Sequence, residues 1–201
     1  MSRSPGARER LEALKAELER FGRTNDAATR ERARRMLNIT RDTGELLSVL
    51  VRATGARALL EIGTSNGYST LWLAEAARAN GGRVTTLEAA ADKVAMAAAN
   101  FARAGLDDVI ALVHDDATRA LERAAAEAFD FVFLDSERAA YPGWWPQLQR
   151  VLRAGGLLVV DNAVSHAAEM APFAALLAAD PRFTTSLVPV GNGELLAVKA
   201  A

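Results

Sequence analysis

Apolar residues along this chain change their spacing once, near residue 55. Before that point they recur at helical intervals. Leu11, Leu14, Leu18 and Phe21 sit in a charged background and predict an amphipathic helix that Gly22 stops. A second helix is predicted over Asp26 to Leu37. A third runs from about Asp42 to Thr54, with Leu46, Leu47, Leu50 and Val51 on its apolar side and Gly55 after it. Beyond residue 55 the chain alternates. Short runs rich in Val, Ile, Leu and Phe (ALLEIG, RVTTLEA, VIALVHD, DFVFLD, GLLVVDN) suit strands buried on both faces. Ala-rich stretches such as ADKVAMAAANFARAG lie between them and favour helix.

That alternation predicts βαβ units and an α/β fold: a Rossmann-like, doubly wound, mostly parallel sheet. The last segment, FTTSLVPVGNGELLAVKA, differs. Two β-like runs flank Gly191-Asn192-Gly193, so a C-terminal antiparallel hairpin completes seven strands. Two regions of one structural unit are expected. Residues 1–55 form N-terminal helices that pack on the domain and contribute to its pocket, and residues 56–201 form the cofactor-binding domain.

Composition narrows the chemistry. Half of the 201 residues are hydrophobic, 24% are charged, and the formal net charge is −1. This is the balance of a soluble globular protein, with no run long enough to span a membrane. Residues 1–22 carry no apolar signal core, which makes the cytoplasm the expected location. With no cysteine, thiol catalysis and cysteine-bound metals are excluded. Basic residues from Arg3 to Arg41 outnumber the acids among them. The reading is a solvated helical face, and contact with RNA or a phosphorylated substrate is the alternative.

The first strand runs into EIGTSNGYS, residues 61–69. Its glycines, Gly63 and Gly67, permit a tight turn and close backbone approach to a ligand. The second strand ends at Glu88, about twenty residues further on, where an acid can accept hydrogen bonds from a ribose diol. A dinucleotide site wants G-x-G-x-x-G, which this loop lacks, and Glu61 is a poor neighbour for phosphates. A cationic sulfonium cofactor, S-adenosylmethionine, therefore fits better than NAD.

Two later strands end in acid: FDFVFLD at Asp135 and GGLLVVDN at Asp161 and Asn162. In an open α/β sheet such ends border the binding crevice. Two carboxylates and an amide offer hard oxygen ligands, for which Mg²⁺ is the default and Mn²⁺ or Ca²⁺ the alternatives. The plainer explanation for Asp161 and Asn162 is a polar strand end that caps the next helix.

With these elements in order, the chain resembles the class I S-adenosylmethionine-dependent methyltransferases, and within them the cation-dependent O-methyltransferases that include catechol and caffeoyl-CoA O-methyltransferases. The likeness spans Leu37 to Lys199. LNITRDTGELL resembles the family's opening segment, EIGTSNGYS its cofactor loop, and TLEA its ribose-binding strand end. DDA resembles the adenine turn, DSERAAY the family's D-x-x-K-x-x-Y, VVDN the second metal element, and PVGNGELLAVK the closing hairpin. The resemblance implies that Ile39 lies near the cofactor and that Gly63, Thr64 and Ser69 line its methionine end, with Glu61, Ser65 and Gly67 in the same loop. It implies Glu88 on the ribose, Asp116 and Ala117 at the adenine edge, Asp135 serving both cofactor and metal, and Asp161 with Asn162 completing the metal site. Local helix capping is the plainer role for Glu61 and Ser69.

The chain departs from that pattern at two places. Arg138 stands where the family carries a lysine. An arginine stays protonated and cannot act as a general base, yet it can stabilise a developing phenolate or bind a carboxylate or phosphate. The segment after Asn162 also lacks the family's aromatic, glycine-containing loop over the acceptor. His166 is the candidate replacement base, or else a surface histidine near a helix start. His114 is read as structural. Tyr141, Trp144 and Trp145 either wall the acceptor pocket or pack the core.

The expectation is an O-methyltransferase, metal-assisted, with a catalytic set of Asp135, Arg138 and His166. Its partner is a small hydroxylated acceptor rather than nucleic acid or membrane, and a homodimer is expected through the N-terminal helix. The alternatives are a methyltransferase acting on RNA or protein and a non-catalytic cofactor-binding module.

Overall fold

The computed structural model of the protein describes residues 6–201, so Arg3 of the basic front lies outside the described residues. Seven strands form one sheet: β1 (Ala58–Ile62), β2 (Arg83–Glu88), β3 (Ile110–His114), β4 (Phe129–Leu134), β5 (Leu152–Val160), β6 (Phe183–Val188) and β7 (Glu194–Lys199). Their spatial order is β3-β2-β1-β4-β5-β7-β6. The first five in that order run parallel, and β7 pairs antiparallel with both β5 and β6. This is the doubly wound sheet with a terminal hairpin that the apolar runs predict.

Helices cover both faces because the central strands are apolar on both. On one face Leu59, Phe131, Phe133 and Val159 pack with the helices α1 (Ala7–Ala28), α2 (Arg41–Thr54), α3 (Tyr68–Ala79) and α4 (Ala91–Ala104). On the other, Leu60, Ile62, Val132, Leu134 and Val160 meet α5 (Ala117–Arg123), α6 (Tyr141–Val151) and α7 (Ala167–Ala179). Strand order reverses between β1 and β4, which opens a crevice at the carboxyl ends of the strands.

Two expectations for the N-terminal region are corrected. Gly22 does not stop the first helix, which continues to Ala28. A Cβ on Gly22 would lie 2.6 Å from Asn38 Nδ2, and that amide donates to Leu18 O at 3.0 Å. The glycine is there for a close crossing. The second helix over Asp26 to Leu37 is also absent: only a short 3₁₀ turn, Arg32–Arg34, forms. The Asp26 carboxylate accepts from Met36 N at 2.7 Å and Leu37 N at 2.8 Å, and Leu37 adopts φ +50°. Side-chain bonding to backbone thus folds this segment across the crevice in an irregular path. Among the described residues, no helix is long and apolar enough to cross a membrane.

Candidate active site

The crevice at the strand switch point is a cavity of about 860 Å³. Its size is that of a drug-sized ligand site. The β1–α3 loop forms its floor. Gly63 has φ +111°, and a Cβ there would sit 2.0 Å from the carbonyl oxygen of Asp135, so only glycine fits between the two strand ends. Ser65 has φ +49° and is held by two bonds: its N donates to Glu88 Oε2 at 2.8 Å and its Oγ to Met36 O at 2.7 Å. Glu88 Oε1 accepts from Ala90 N at 2.9 Å. The carboxylate is therefore fixed at the cavity wall, and each oxygen keeps a lone pair for a further donor.

Glu61 lies beneath this floor and is fully buried, not on the cavity wall. It accepts from Ser69 Oγ at 2.6 Å, from Thr86 Oγ1 at 2.6 Å, and from Thr70 Oγ1. Burial pushes its carboxyl up to about 7, against the pull of these three hydroxyls. Gly67, the N-cap of α3, is likewise behind the wall, packed against the Phe101 ring. Ile39, Gly63, Thr64, Ser65, Ser69, Glu88, Asp116 and Ala117 all line the cavity. Asp116 also caps α5, accepting from Thr118 N at 2.9 Å and Arg119 N at 3.2 Å.

Next to Gly63, the ends of β4 and β5 deliver Asp135, Asp161 and Asn162 to the same cavity. Asn162 Nδ2 donates to Asp161 Oδ2 at 2.8 Å and to Asp135 Oδ1 at 3.2 Å. Burial, then the neighbouring charge of Asp161, pushes the Asp135 carboxyl well above its usual range. Two acids that repel each other offer oxygens that suit a hard cation, and Asn162, whose Oδ1 accepts from Ser165 Oγ at 3.2 Å, would add its oxygen if the amide turned over. No cluster of three or more His, Cys, Asp or Glu side chains arranged for a metal occurs among the described residues, so the amide would be an essential third donor.

The hairpin holds this corner in place. Ala163 N donates to Gly193 O at 2.8 Å, and Val164 N and Ser165 N donate to Asn192 O at 3.1 and 3.0 Å. The lysine-to-arginine departure also takes a defined place. Arg138 is buried to 4% exposure, lines the cavity, and donates from Nε to Glu169 Oε2 at 2.8 Å. His166 lines the cavity as the first residue before α7, with Nδ1 2.9 Å from Ser165 Oγ. His114 is exposed, its Nε2 3.1 Å from Ala89 O. Trp144 is both wall and core: it lines the cavity and its Nε1 donates to Thr118 Oγ1 at 3.0 Å. Trp145 and Tyr141 pack in the core against Phe173.

The profile of the O-methyltransferase family matches residues 15–200, which is nearly the whole of the described fold. The chain belongs to the O-methyltransferase family. A provisionally named O-methyltransferase of Mycolicibacterium smegmatis is 35% identical over 188 residues, covering 86% of this chain and 89% of that protein. The Bacillus cereus O-methyltransferase, solved in complex with S-adenosylhomocysteine, matches with a TM-score of 0.78 and 30% identity, over 93% of this chain and 90% of its own. The O-methyltransferase TomG of Streptomyces achromogenes, involved in tomaymycin synthesis and solved with S-adenosylmethionine, matches with a TM-score of 0.76 and 26% identity, over 100% and 92%. The enzyme is thus an S-adenosylmethionine-dependent O-methyltransferase with a Rossmann-like fold.

Sequence reasoning missed one residue of this O-methyltransferase site. Glu194, the first residue of β7, is fully buried, accepts from Thr43 Oγ1 at 3.0 Å and lies against Asp161. Burial, then the charge of Asp161 and a hydrogen bond with its side chain, push the Glu194 carboxyl up to about 10, so the pair favours holding a proton. The available signal was an acid opening a buried strand directly after the Gly191-Asn192-Gly193 turn. The segment around Asp26, Arg32 and Met36 also lines the cavity. Its place there follows from the Asp26 bonds to Met36 and Leu37, which no helical spacing announces.

Proposed function

We propose that the enzyme methylates one hydroxyl of a small vicinal diol or catechol-like acceptor, held by a divalent cation at Asp135, Asp161 and Asn162. One observation carries this reading. The two acids meet at a single amide on the strand ends, in the same cavity as the loop that suits the cofactor and directly beside its Gly63.

S-adenosylmethionine supplies an electrophilic methyl group, and a bound Mg²⁺ or similar ion supplies positive charge that makes an acceptor hydroxyl more acidic. The remaining work falls to the chain. Ile39, Gly63, Thr64, Ser65, Ser69, Glu88, Asp116 and Ala117 would hold the cofactor, with Glu88 on the ribose and the Asp116–Ala117 turn at the adenine. Glu61 would act from below by fixing Ser69. Trp144 and the crossing segment at Met36 and Leu37 would exclude water and set the line of attack. Positioning of this kind can supply several kcal/mol of the barrier reduction.

The proton of the attacking hydroxyl has two candidate acceptors. Asp135 lies in the cavity wall next to the amide. His166 has one ring nitrogen engaged near Ser165 Oγ, which leaves Nε2 to take a proton. Arg138 would stabilise negative charge without accepting a proton. The test is a transfer assay with labelled S-adenosylmethionine over vicinal diols, isolated phenols and RNA, with and without Mg²⁺. Mg²⁺-dependent labelling of diols above the other two is the expected result, and labelling of RNA alone would replace this reading.

A further inference from the structure

We propose that the acceptor carries a carboxylate, and that Arg138 receives it from the inner wall of the cavity with Arg32 facing it from the crossing segment. The inference rests on the methyl-transfer reading of the same site.

Arg138 is an unusual group to bury at a cavity wall. Among the described residues its guanidinium makes one hydrogen bond, from Nε to Glu169. Among the described residues neither Nη makes a hydrogen bond, and the residue lines the cavity together with Asp135 and Asp161. A guanidinium fork is matched in shape to a carboxylate, with two parallel N–H···O bonds.

Glu169 is a weak occupant. Its side chain is 55% exposed, and one exposed contact to a long side chain contributes little. The hydrogen bond from Arg138, then its charge, holds the Glu169 carboxyl below its ordinary range, and the charge of Arg32 adds a smaller pull. Arg32 lines the cavity, is exposed, and has no ion pair among the described residues. An incoming carboxylate can displace Glu169 into water and take both arginines.

The test is equilibrium binding of three matched probes to the full chain saturated with S-adenosylhomocysteine, so that the cofactor's own carboxylate is already placed. The probes are 3,4-dihydroxybenzoate, its methyl ester and plain benzoate, read by calorimetry. The benzoate diol should bind about tenfold tighter than the ester, the scale of one charge-assisted pair. Arg32→Gln, an exposed substitution, should shrink that preference severalfold, and Glu169→Gln should enlarge it by freeing Arg138. Arg138→Gln should abolish it; if that variant fails to fold, the two exposed variants decide. Equal binding of acid and ester by the parent enzyme overturns the proposal. So does a preference untouched in both exposed variants. Plain benzoate separates this claim from the broader one. Binding of benzoate that depends on Arg32, together with no methyl transfer to any diol, would overturn the diol reading and leave the carboxylate site standing.

Discussion

Asn162 Nδ2 donates to Asp135 Oδ1 at 3.2 Å, across the gap between the ends of β5 and β4. The contact needs the left-handed backbone of Asn162, φ +67°, and the hairpin bonds that pin Ala163 to Ser165. It places an amide between two acids that would otherwise repel. Asn162→Ala should leave S-adenosylmethionine affinity within a few-fold of the parent while metal affinity and metal-stimulated turnover fall by about a hundredfold, as for loss of a group that holds a metal in place. Calorimetric titration of cofactor and metal separately checks both halves.

Glu61 gives a stability signature that needs no substrate. Its carboxyl stands at about 7 in the folded protein against an ordinary 4.5. The folded state therefore holds a proton that the unfolded chain releases, so the stability Glu61 contributes is full below pH 4.5 and is lost as pH rises through 7. The full shift corresponds to roughly 3 kcal/mol. Glu61→Gln cannot titrate. Urea unfolding across this range should show the parent losing stability relative to the variant between pH 4.5 and 7, with no further relative change above it.

Two glycines with positive φ should respond very differently to alanine. At Gly55 (φ +65°) a Cβ meets nothing within 4 Å, and Gly55→Ala should cost only about 1 kcal/mol of backbone strain. At Gly63 the Cβ would strike the Asp135 carbonyl, so Gly63→Ala must part β1 from β4. It should cost about 3 kcal/mol or more and abolish cofactor binding. Thermal unfolding with and without S-adenosylhomocysteine measures both.

Lys15 is the buried cation of the N-terminal helix. Its Nζ sits 3.5 Å from the Trp72 ring centroid and pairs with Glu75 at 2.6 Å and Glu12 at 3.0 Å. Both acids are about a third exposed, so water screens part of that attraction. Lys15→Met keeps the stem and loses the charge. It should destabilise by about 1–2 kcal/mol, the scale of a cation–π contact plus one charged hydrogen bond, as read from denaturant midpoints.

The sheet was legible because its strands are short, apolar and bounded by glycine or acid, and burial on both faces demands that pattern. The site was legible wherever a residue sits at a strand end, as Asp135, Asp161 and Glu88 do. The path from Asp26 to Leu37 was not legible, since one aspartate bonding two backbone amides leaves no periodic trace. Gly22 misled for a related reason: a glycine that admits a crossing Asn38 looks in sequence like a glycine that ends a helix. Glu194 was hidden among strand residues, because alternation marks a face but does not tell that Thr43 will meet it from a distant helix.

The central claim is metal-assisted methyl transfer to a vicinal diol. The direct measurement is the rate of methyl transfer from labelled S-adenosylmethionine to an uncharged catechol by chelator-treated enzyme, across a Mg²⁺ titration. The site at Asp135, Asp161 and Asn162 predicts negligible transfer in excess chelator and saturable restoration by Mg²⁺, with a product one methyl group heavier. Undiminished transfer in excess chelator would contradict it.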